Sequence, residues 1–178
     1  MRRGFLILDH YLIVFNLKKK IAFELSVFET EKELAKEEAN LLQMAVTARN
    51  KAYAPYSRFQ VGAAILLGNG EIVLGNNQEN SSYPSGLCAE RVAIFYAGAN
   101  YPNQIIKSIA ISATSLDHEV KEPAGPCGNC RQAIAEYEYK QKSPISVIMR
   151  GESGQIFKCS AIADILPLAF NNSFLSDS

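Results

Sequence analysis

The chain has 178 residues, of which 48% are hydrophobic, and this length and composition suit one globular domain with a buried core. Lysine plus arginine and aspartate plus glutamate number 18 each, so the formal net charge is zero. That balance argues against a broad basic surface for nucleic acid. Four cysteines, two of them in a C-x-x-C, and no convincing secretory signal predict a protein of the reducing cytoplasm.

The first twenty residues are predicted to be an extension outside the main domain, which runs over residues 21–178. Apolar runs at 5–8 and 12–15 are interrupted by Asp9 and His10, and three lysines follow without a small-residue cleavage site. The apolar stretch is also too short for an ordinary membrane span. We expect no membrane insertion, although composition leaves a membrane-surface anchor open and does not give the role of this segment.

In the first half of the domain, hydrophobic periodicity predicts a strand over 21–27 and then a helix. Thr30 and Glu33 form a capping box at the predicted start of that helix, which ends near Arg49. A buried strand over 61–67 is followed by a hairpin turn at Gly68-Asn69-Gly70 and a return strand over 71–75.

In the second half, strands are predicted at 105–113, 144–149 and 156–159, and a short helix begins at Ile162 and stops near Pro167. Strands that alternate with helices predict an α/β protein, a three-layer α/β/α sandwich with a mixed sheet.

Three of the four cysteines lie in two segments that each open an apolar-periodic run, at 88–91 and 126–132. Both runs are predicted helices, which places Cys88, Cys127 and Cys130 in first turns. The positive end of a helix dipole favours the thiolate, and residues three apart in a first turn share one side. Three converging thiolates predict a zinc site with one open position, and Glu90 stands beside that position.

Simpler interpretations of the same cysteines are buried thiols, a disulfide or a closed structural zinc site. A closed site needs a fourth ligand, and the candidates, which are Cys159, His10 and His118, lie in no ligand-like pair. A thioredoxin-like redox pair would leave Cys88 and Glu90 unexplained. Cys159 itself is predicted to be a buried or half-buried thiol.

The order C-x-E followed by P-C-x-x-C matches the zinc-dependent deaminase signature. On these motifs the chain resembles the cytidine deaminase family, specifically its small-subunit, three-cysteine type, from about residue 41 to residue 170. That resemblance implies a mixed five-stranded sheet. Five sequence blocks carry it in order: residues 56–64, 77–80, 88–91 and 126–132, and 165–167 with Phe170.

The resemblance implies hydrolytic deamination of cytidine and deoxycytidine to uridine and deoxyuridine with release of ammonia, in pyrimidine salvage. One zinc ion per chain would be held by the three cysteines, with zinc-bound hydroxide as the nucleophile and Glu90 as the proton shuttle. Three thiolates and hydroxide give zinc a formal charge of about −2. In the family, the residue matching Arg91 offsets this charge, although by itself Arg91 could be a solvated side chain.

Similarity to the family also assigns the nucleoside contacts. Asn77 and Glu79 would hold the ribose 3′-hydroxyl, Phe59 would wall the pyrimidine, and backbone groups of Ala89 would read the base. Without the resemblance, the first two would be turn residues and Phe59 a core aromatic. The resemblance further implies a homotetramer with shared active sites, in which two residues reach a neighbouring subunit's site; loop cover and C-terminal packing are their alternative roles. These two residues are Tyr83 and Phe170.

The nearest rival is a blasticidin S-type aminonucleoside deaminase, which shares the fold and the cysteine pattern. Arg91 and the Asn77/Glu79 pair favour cytidine. A nucleic-acid deaminase is disfavoured because neutral charge leaves little to hold phosphates. A further hypothesis is an inactive, zinc-stabilised binding module. The intact Glu90 and the open zinc position argue against it.

Overall fold

The computed structural model describes residues 7–8, 11–12 and 17–175. These residues contain eight strands, three α-helices and short 3-10 helices. The strands are β1 (Ile7–Leu8), β2 (Tyr11–Leu12), β3 (Ser26–Phe28), β4 (Phe59–Leu67), β5 (Ile72–Asn76), β6 (Ile106–Ser115), β7 (Ser146–Arg150) and β8 (Ile156–Cys159). The helices are α1 (Lys36–Arg49), α2 (Ala89–Asn100) and α3 (Gly128–Gln141).

The main sheet has six strands in the order β3-β8-β7-β6-β4-β5, and β1 and β2 form a separate antiparallel pair. The strands β6 and β7 run parallel, and the other neighbours in the main sheet are antiparallel. The predicted mixed sheet is thus confirmed, but the expected count of five strands was wrong. The sixth is β3, which pairs with the outer edge of β8 through Ser26, Val27 and Phe28.

Helices cover both faces of the sheet, which confirms the predicted three-layer sandwich. On one face, Leu41, Leu42 and Ala45 of α1 pack in a buried cluster with sheet residues such as Ala64 and Ile148. On the opposite face, α2 and α3 pack against the sheet, and this cluster includes Ala93, Ile94, Ile109, Ile134 and Val147. The burial of β6 fits its central place, since seven consecutive residues from Ser108 to Thr114 are buried.

Two predictions near the start of the domain need correction. The strand predicted over 21–27 is regular only at its end, and Ile21, Phe23 and Leu25 are exposed rather than paired in the sheet. The alternation of apolar residues indicated strand propensity, but β8 offers hydrogen-bonding partners only to 26–28.

The second correction concerns the start of α1. Glu33 accepts hydrogen bonds from the Thr30 N–H at 3.1 Å and from its hydroxyl at 3.2 Å, so the predicted capping box exists. It opens a 3-10 helix, Glu31–Glu33, and not α1. Leu34 follows with extended backbone and a buried side chain, so α1 begins only at Lys36.

Strands β4–β8 begin and end within two residues of their predicted bounds, and α2 and α3 begin in the predicted cysteine segments. The short helix predicted from Ile162 is a 3-10 helix, Ile162–Ile165. The hairpin turn between β4 and β5 has Gly70 at φ 90°, a left-handed conformation that favours glycine. Residues 1–6, 9–10, 13–16 and 176–178 lie outside the described residues, so most of the predicted N-terminal extension does too. In the part of the chain that the structure describes, no helix has the length and apolarity to cross a membrane.

Candidate active site

The three predicted cysteines lie together at the starts of two helices. Cys88 is the N-cap of α2, Cys127 is the N-cap of α3, and Cys130 lies in the first turn of α3. The Sγ atoms are 3.9 Å apart for Cys88 and Cys127 and 3.4 Å apart for Cys127 and Cys130, and all three lie within 4.8 Å of one another. The predicted convergence of the thiols is confirmed.

These distances and donor atoms fit zinc. Zn–S bonds of about 2.3 Å in a tetrahedron place sulfur atoms about 3.8 Å apart, close to the separations found here. Among the residues that the structure describes, no histidine, carboxylate or fourth cysteine joins the group. Three ligands with an exposed Cys127 at the rim leave room for a fourth, exchangeable ligand, as a catalytic zinc site requires.

The backbone at the two helix starts leaves the thiols available. Neither Cys88 nor Cys127 uses its side chain to cap its own helix. The start of α2 is held tightly against β5, because a Cβ added at Gly75 would lie 2.4 Å from the Ala89 carbonyl oxygen. Only glycine permits this approach, so Gly75 fixes how close Cys88 comes to the sheet.

The electrostatics of the group favour thiolate at Cys88. The neighbouring Cys130 thiol, together with the Arg91 guanidinium, lowers the pKa of Cys88 to about 5. The same interaction with Cys88 raises the pKa of Cys130, since two adjacent thiols do not ionise together readily. Desolvation opposes the charge on Arg91, but the sulfurs of Cys88 and Cys130 outweigh it, and the net pKa of Arg91 is raised.

Glu90 is 4% exposed and lies in the first turn of α2, where its carboxyl interacts with Cys88 and Cys130. Burial raises the pKa of its carboxyl to about 7, and the negative charge of Cys88 acts in the same direction. A carboxyl with a pKa near neutrality can both accept and donate a proton at physiological pH. The arrangement therefore pairs a metal-binding group with an acid–base group that lies two residues after the ligand Cys88.

Asn77 and Glu79 follow β5 and hydrogen-bond to the start of β4 and to the residues just before it, respectively. The Asn77 amide accepts from the Val61 N–H at 2.8 Å and donates to the Phe59 carbonyl at 2.9 Å. The Glu79 carboxylate accepts from the Tyr56 N–H at 2.9 Å, from the Ser57 N–H at 3.2 Å and from the Ser57 hydroxyl. Desolvation is the largest single influence and opposes the charge, but the three hydrogen bonds together outweigh it and lower the pKa of Glu79, which keeps it a carboxylate.

Gln78, the residue between Asn77 and Glu79, links the segment after β5 to the metal group. Gln78 and Leu87 exchange two backbone hydrogen bonds of 2.9 Å, and Leu87 directly precedes Cys88. Sequence patterns gave no indication of this pairing, because the two residues are separated by an irregular loop. It brings the predicted ribose-binding residues next to the first predicted zinc ligand.

The other predicted substrate residues are placed as follows. Phe59 opens β4 and is half-buried, and Ala89 is fully buried at the first position of α2. Tyr83 is 78% exposed in a 3-10 helix and meets the Tyr56 ring edge-on, with centroids 6.5 Å apart. Phe170 is 57% exposed and stacks on Phe174 at a centroid distance of 5.6 Å. Both exposed rings are free to meet another molecule.

Sequence reasoning assigned no role to Arg131, although its position directly after Cys130 within a motif was a signal. Its Nε donates to the Pro126 carbonyl at 2.7 Å and its Nη1 to the Ile165 carbonyl at 2.8 Å. Arg131 therefore joins the loop before Cys127 to the C-terminal segment. Cys159 is fully buried and outside the metal group, as predicted.

Comparisons with known proteins agree with this site. Residues 35–143 match the family described as the cytidine and deoxycytidylate deaminase zinc-binding region. A cytidine deaminase from Halalkalibacterium halodurans is 37% identical over 137 residues, which cover 77% of this chain and 96% of the relative. A cytidine deaminase from Sporosarcina psychrophila is 38% identical over 136 residues, covering 76% of this chain and 93% of the relative.

Comparison with solved structures also identifies cytidine deaminases. The crystal structure of cytidine deaminase from Burkholderia pseudomallei shares 38% identity with a TM-score of 0.64, over 74% of this chain and 97% of that one. Cytidine deaminase from Mycobacterium tuberculosis shares 31% identity with a TM-score of 0.55. A three-layer fold with three cysteines at two helix starts and an adjacent glutamate is that of a zinc-dependent deaminase. The chain belongs to the family of cytidine and deoxycytidylate deaminases.

Proposed function

We propose that the protein hydrolyses cytidine and deoxycytidine to uridine and deoxyuridine, with release of ammonia. The observation that carries the proposal is the Cys88–Cys127–Cys130 group beside the buried Glu90 carboxyl. The cytidine deaminases that cover most of this chain support the choice of substrate. The direct test is ammonia release from cytidine by the zinc-loaded protein; release from blasticidin S but not from cytidine would contradict the proposal.

In this proposal each residue has one task. Cys88, Cys127 and Cys130 would hold zinc, which would supply the Lewis acidity that makes water a nucleophile toward C4 of the pyrimidine. Glu90 would take one proton from the attacking water and deliver it to N3 as the oxygen adds to C4. It would then take the proton of the new C4 hydroxyl group and deliver it to the amino group, so that the C4 carbonyl forms, the C4–N bond breaks and ammonia leaves. Arg91 stabilises the negative charge of the thiolates.

Zinc content provides a separate check. We expect one tightly held zinc ion per chain, with three sulfur ligands and no protein nitrogen, because the described residues offer three thiols and no histidine at this group. Metal analysis and X-ray absorption spectroscopy measure both quantities. A nitrogen ligand from the protein, or fully active enzyme with far less than one zinc per chain, would contradict this expectation.

The nucleoside would bind where the segment after β5 meets the start of β4. Asn77 and Glu79 would hold the ribose 3′-hydroxyl, Phe59 would flank the pyrimidine, and backbone groups of Ala89 would read its polar edge. In the free chain the Asn77 amide and the Glu79 carboxylate already bond to residues 56–61. They would therefore contact the ribose with lone pairs and hydrogens that these bonds leave available, from a position that is fixed before binding.

We also propose a homotetramer in which active sites are shared between subunits. Tyr83 and Phe170 are large, exposed aromatic residues on a loop and near the C-terminus, and an isolated chain leaves them uncovered. Exposed aromatic side chains of this kind are typical of interfaces. In the tetramer, Tyr83 and Phe170 would help to close a neighbour's site, with Phe170 against the bound pyrimidine.

Complementation tests the shared site. Phe170→Ala should mainly raise KM, since aromatic stacking contributes about 0.5–1.5 kcal/mol beyond buried area. After subunit exchange, mixed tetramers of Glu90→Ala chains and Phe170→Ala chains should contain some sites with both residues intact and regain activity. No recovery in verified mixed tetramers, or full activity of an isolated monomer, would exclude sharing.

The remaining elements of the proposal concern context. Residues 21–178 would form one deaminase domain, with residues 1–20 outside it. The enzyme would act in pyrimidine salvage in the cytoplasm on free nucleosides, without a nucleic-acid or membrane partner. The equal numbers of acidic and basic residues and the free cysteines of the described chain support this assignment.

A further inference from the structure

The start of α3 carries two polar side chains in addition to the metal ligands. Directly after Cys130, the Arg131 guanidinium donates to the Ile165 carbonyl at 2.8 Å, and the Gln132 amide donates to the Phe170 carbonyl at 2.8 Å. The proposed chemistry uses neither side chain. Both reach the C-terminal segment, one on each side of the turn formed by residues 166–169.

That turn contains a strained residue. Leu168 has φ 62°, a left-handed conformation that is unfavourable for a residue with a Cβ, and its side chain is 90% exposed. Burial of Leu168 therefore does not compensate for the strain. A strained backbone persists only where the surrounding structure fixes it. The hydrogen bonds at Ile165 and Phe170 fix both ends of this turn.

Apolar packing between α3 and the segment is incomplete. A cavity of about 460 Å³ separates them, lined by residues that include Ala135, Tyr139, Ala169 and Phe170. Polar contacts span the gap. Besides Arg131 and Gln132, Glu138 accepts hydrogen bonds from the backbone N–H groups that open the 3-10 helix Ile162–Ile165, at 2.9 and 3.2 Å.

We infer that Arg131 and Gln132 are positioning residues that brace the turn at residues 166–169 and so set the place of Phe170. The brace begins one residue after Cys130, so the helix turn that carries a metal ligand also carries the anchor of Phe170. This inference rests on the proposed role of Phe170 in binding the nucleoside. It gives Gln132 an effect on substrate binding without any contact to substrate.

Gln132 allows the cleaner test. Its amide makes one hydrogen bond in the described part of the chain, whereas Arg131 also holds the Pro126 carbonyl next to Cys127. Gln132→Leu removes the donor at similar volume. A matched control is Gln155→Leu, which removes a glutamine hydrogen bond to Glu29 just before β8, among residues that contact neither Phe170 nor the turn at 166–169 in the described hydrogen bonds.

The experiment compares hydrogen exchange of residues 166–175, KM, kcat and zinc content in the zinc-loaded proteins. For Gln132→Leu we expect the rate of amide hydrogen exchange at 166–175 and KM each to rise about 3- to 10-fold, the effect of one lost hydrogen bond. The kcat and the zinc content should not change. Gln155→Leu should leave all four quantities unchanged. Unaltered exchange at 166–175 in Gln132→Leu overturns the inference, whatever happens to KM.

Phe170→Ala separates this inference from the function on which it rests. If Gln132→Leu increases exchange but not KM, while Phe170→Ala does raise KM, the positioning role is overturned. If Gln132→Leu increases the exchange rate at 166–175 but neither variant changes KM, the bracing of the turn by Gln132 is supported. The proposed role of Phe170 in substrate binding is then overturned.

Discussion

Glu90→Gln should retain zinc and the native fold but lose most of its turnover of cytidine. The amide has nearly the size of the carboxyl and can occupy the same buried position in the first turn of α2. It cannot carry a proton from water to the pyrimidine. Because general acid–base catalysis typically contributes about 10²–10⁴-fold, kcat should fall by at least that factor, with KM much less affected.

The measurement is steady-state ammonia release together with zinc content and thermal unfolding of the same preparation. Glu71→Gln is a matched control, because Glu71 is exposed in the turn between β4 and β5 and does not belong to the metal group. It should retain full activity. Turnover of Glu90→Gln within a few-fold of the parent protein would show that another group moves the protons.

The metal group could be predicted from sequence because its information is local. A ligand at a helix start, a glutamate two residues later and a C-x-x-C in a second first turn need only helical periodicity to define the geometry. Only the packing of α2 and α3 on the same face of the sheet remained to be supplied by tertiary structure. The close approach at Gly75 belongs to that packing.

The contacts around the nucleoside site were less predictable because they depend on loops. Asn77 and Glu79 were expected to face a ligand, but Asn77 already bonds to the start of β4 and Glu79 to the residues just before it. The link between Gln78 and Leu87 joins two irregular stretches, and no hydrophobic period reports such a pairing. The hydrogen bond from Arg131 to Ile165 was equally unpredictable, because the two residues are 34 positions apart in the chain.

Edge pairing explains the errors near the N-terminus of the domain. Alternating apolar residues indicated a strand over 21–27, but a strand forms only where a neighbour supplies backbone partners, and β8 does so for 26–28 alone. Likewise the Thr30–Glu33 capping box was read correctly as a helix start. The burial of Leu34 then interrupts the backbone, a tertiary effect that local rules do not contain.

Cys127→Ala should abolish both zinc binding and activity, and it should lower stability only through the loss of metal. Cys127 is exposed, so its substitution creates no cavity and removes little packing. With two of three ligands left, zinc should be bound far more weakly. A ligand present at about 1,000-fold above its Kd stabilises by about 4.1 kcal/mol, and 1 kcal/mol shifts Tm by about 2–4 °C at this chain length.

The test is therefore a chelator experiment. A strong zinc chelator should lower the Tm of the parent protein by about 8–16 °C and leave the Tm of Cys127→Ala unchanged, so that the two proteins unfold at similar temperatures once metal is removed. Cys159→Ala is the control, because it removes a buried cysteine outside the group and should keep zinc, activity and the response to chelator. A Cys127→Ala protein that still bound one zinc per chain with parental stability would show that Cys127 is not a ligand.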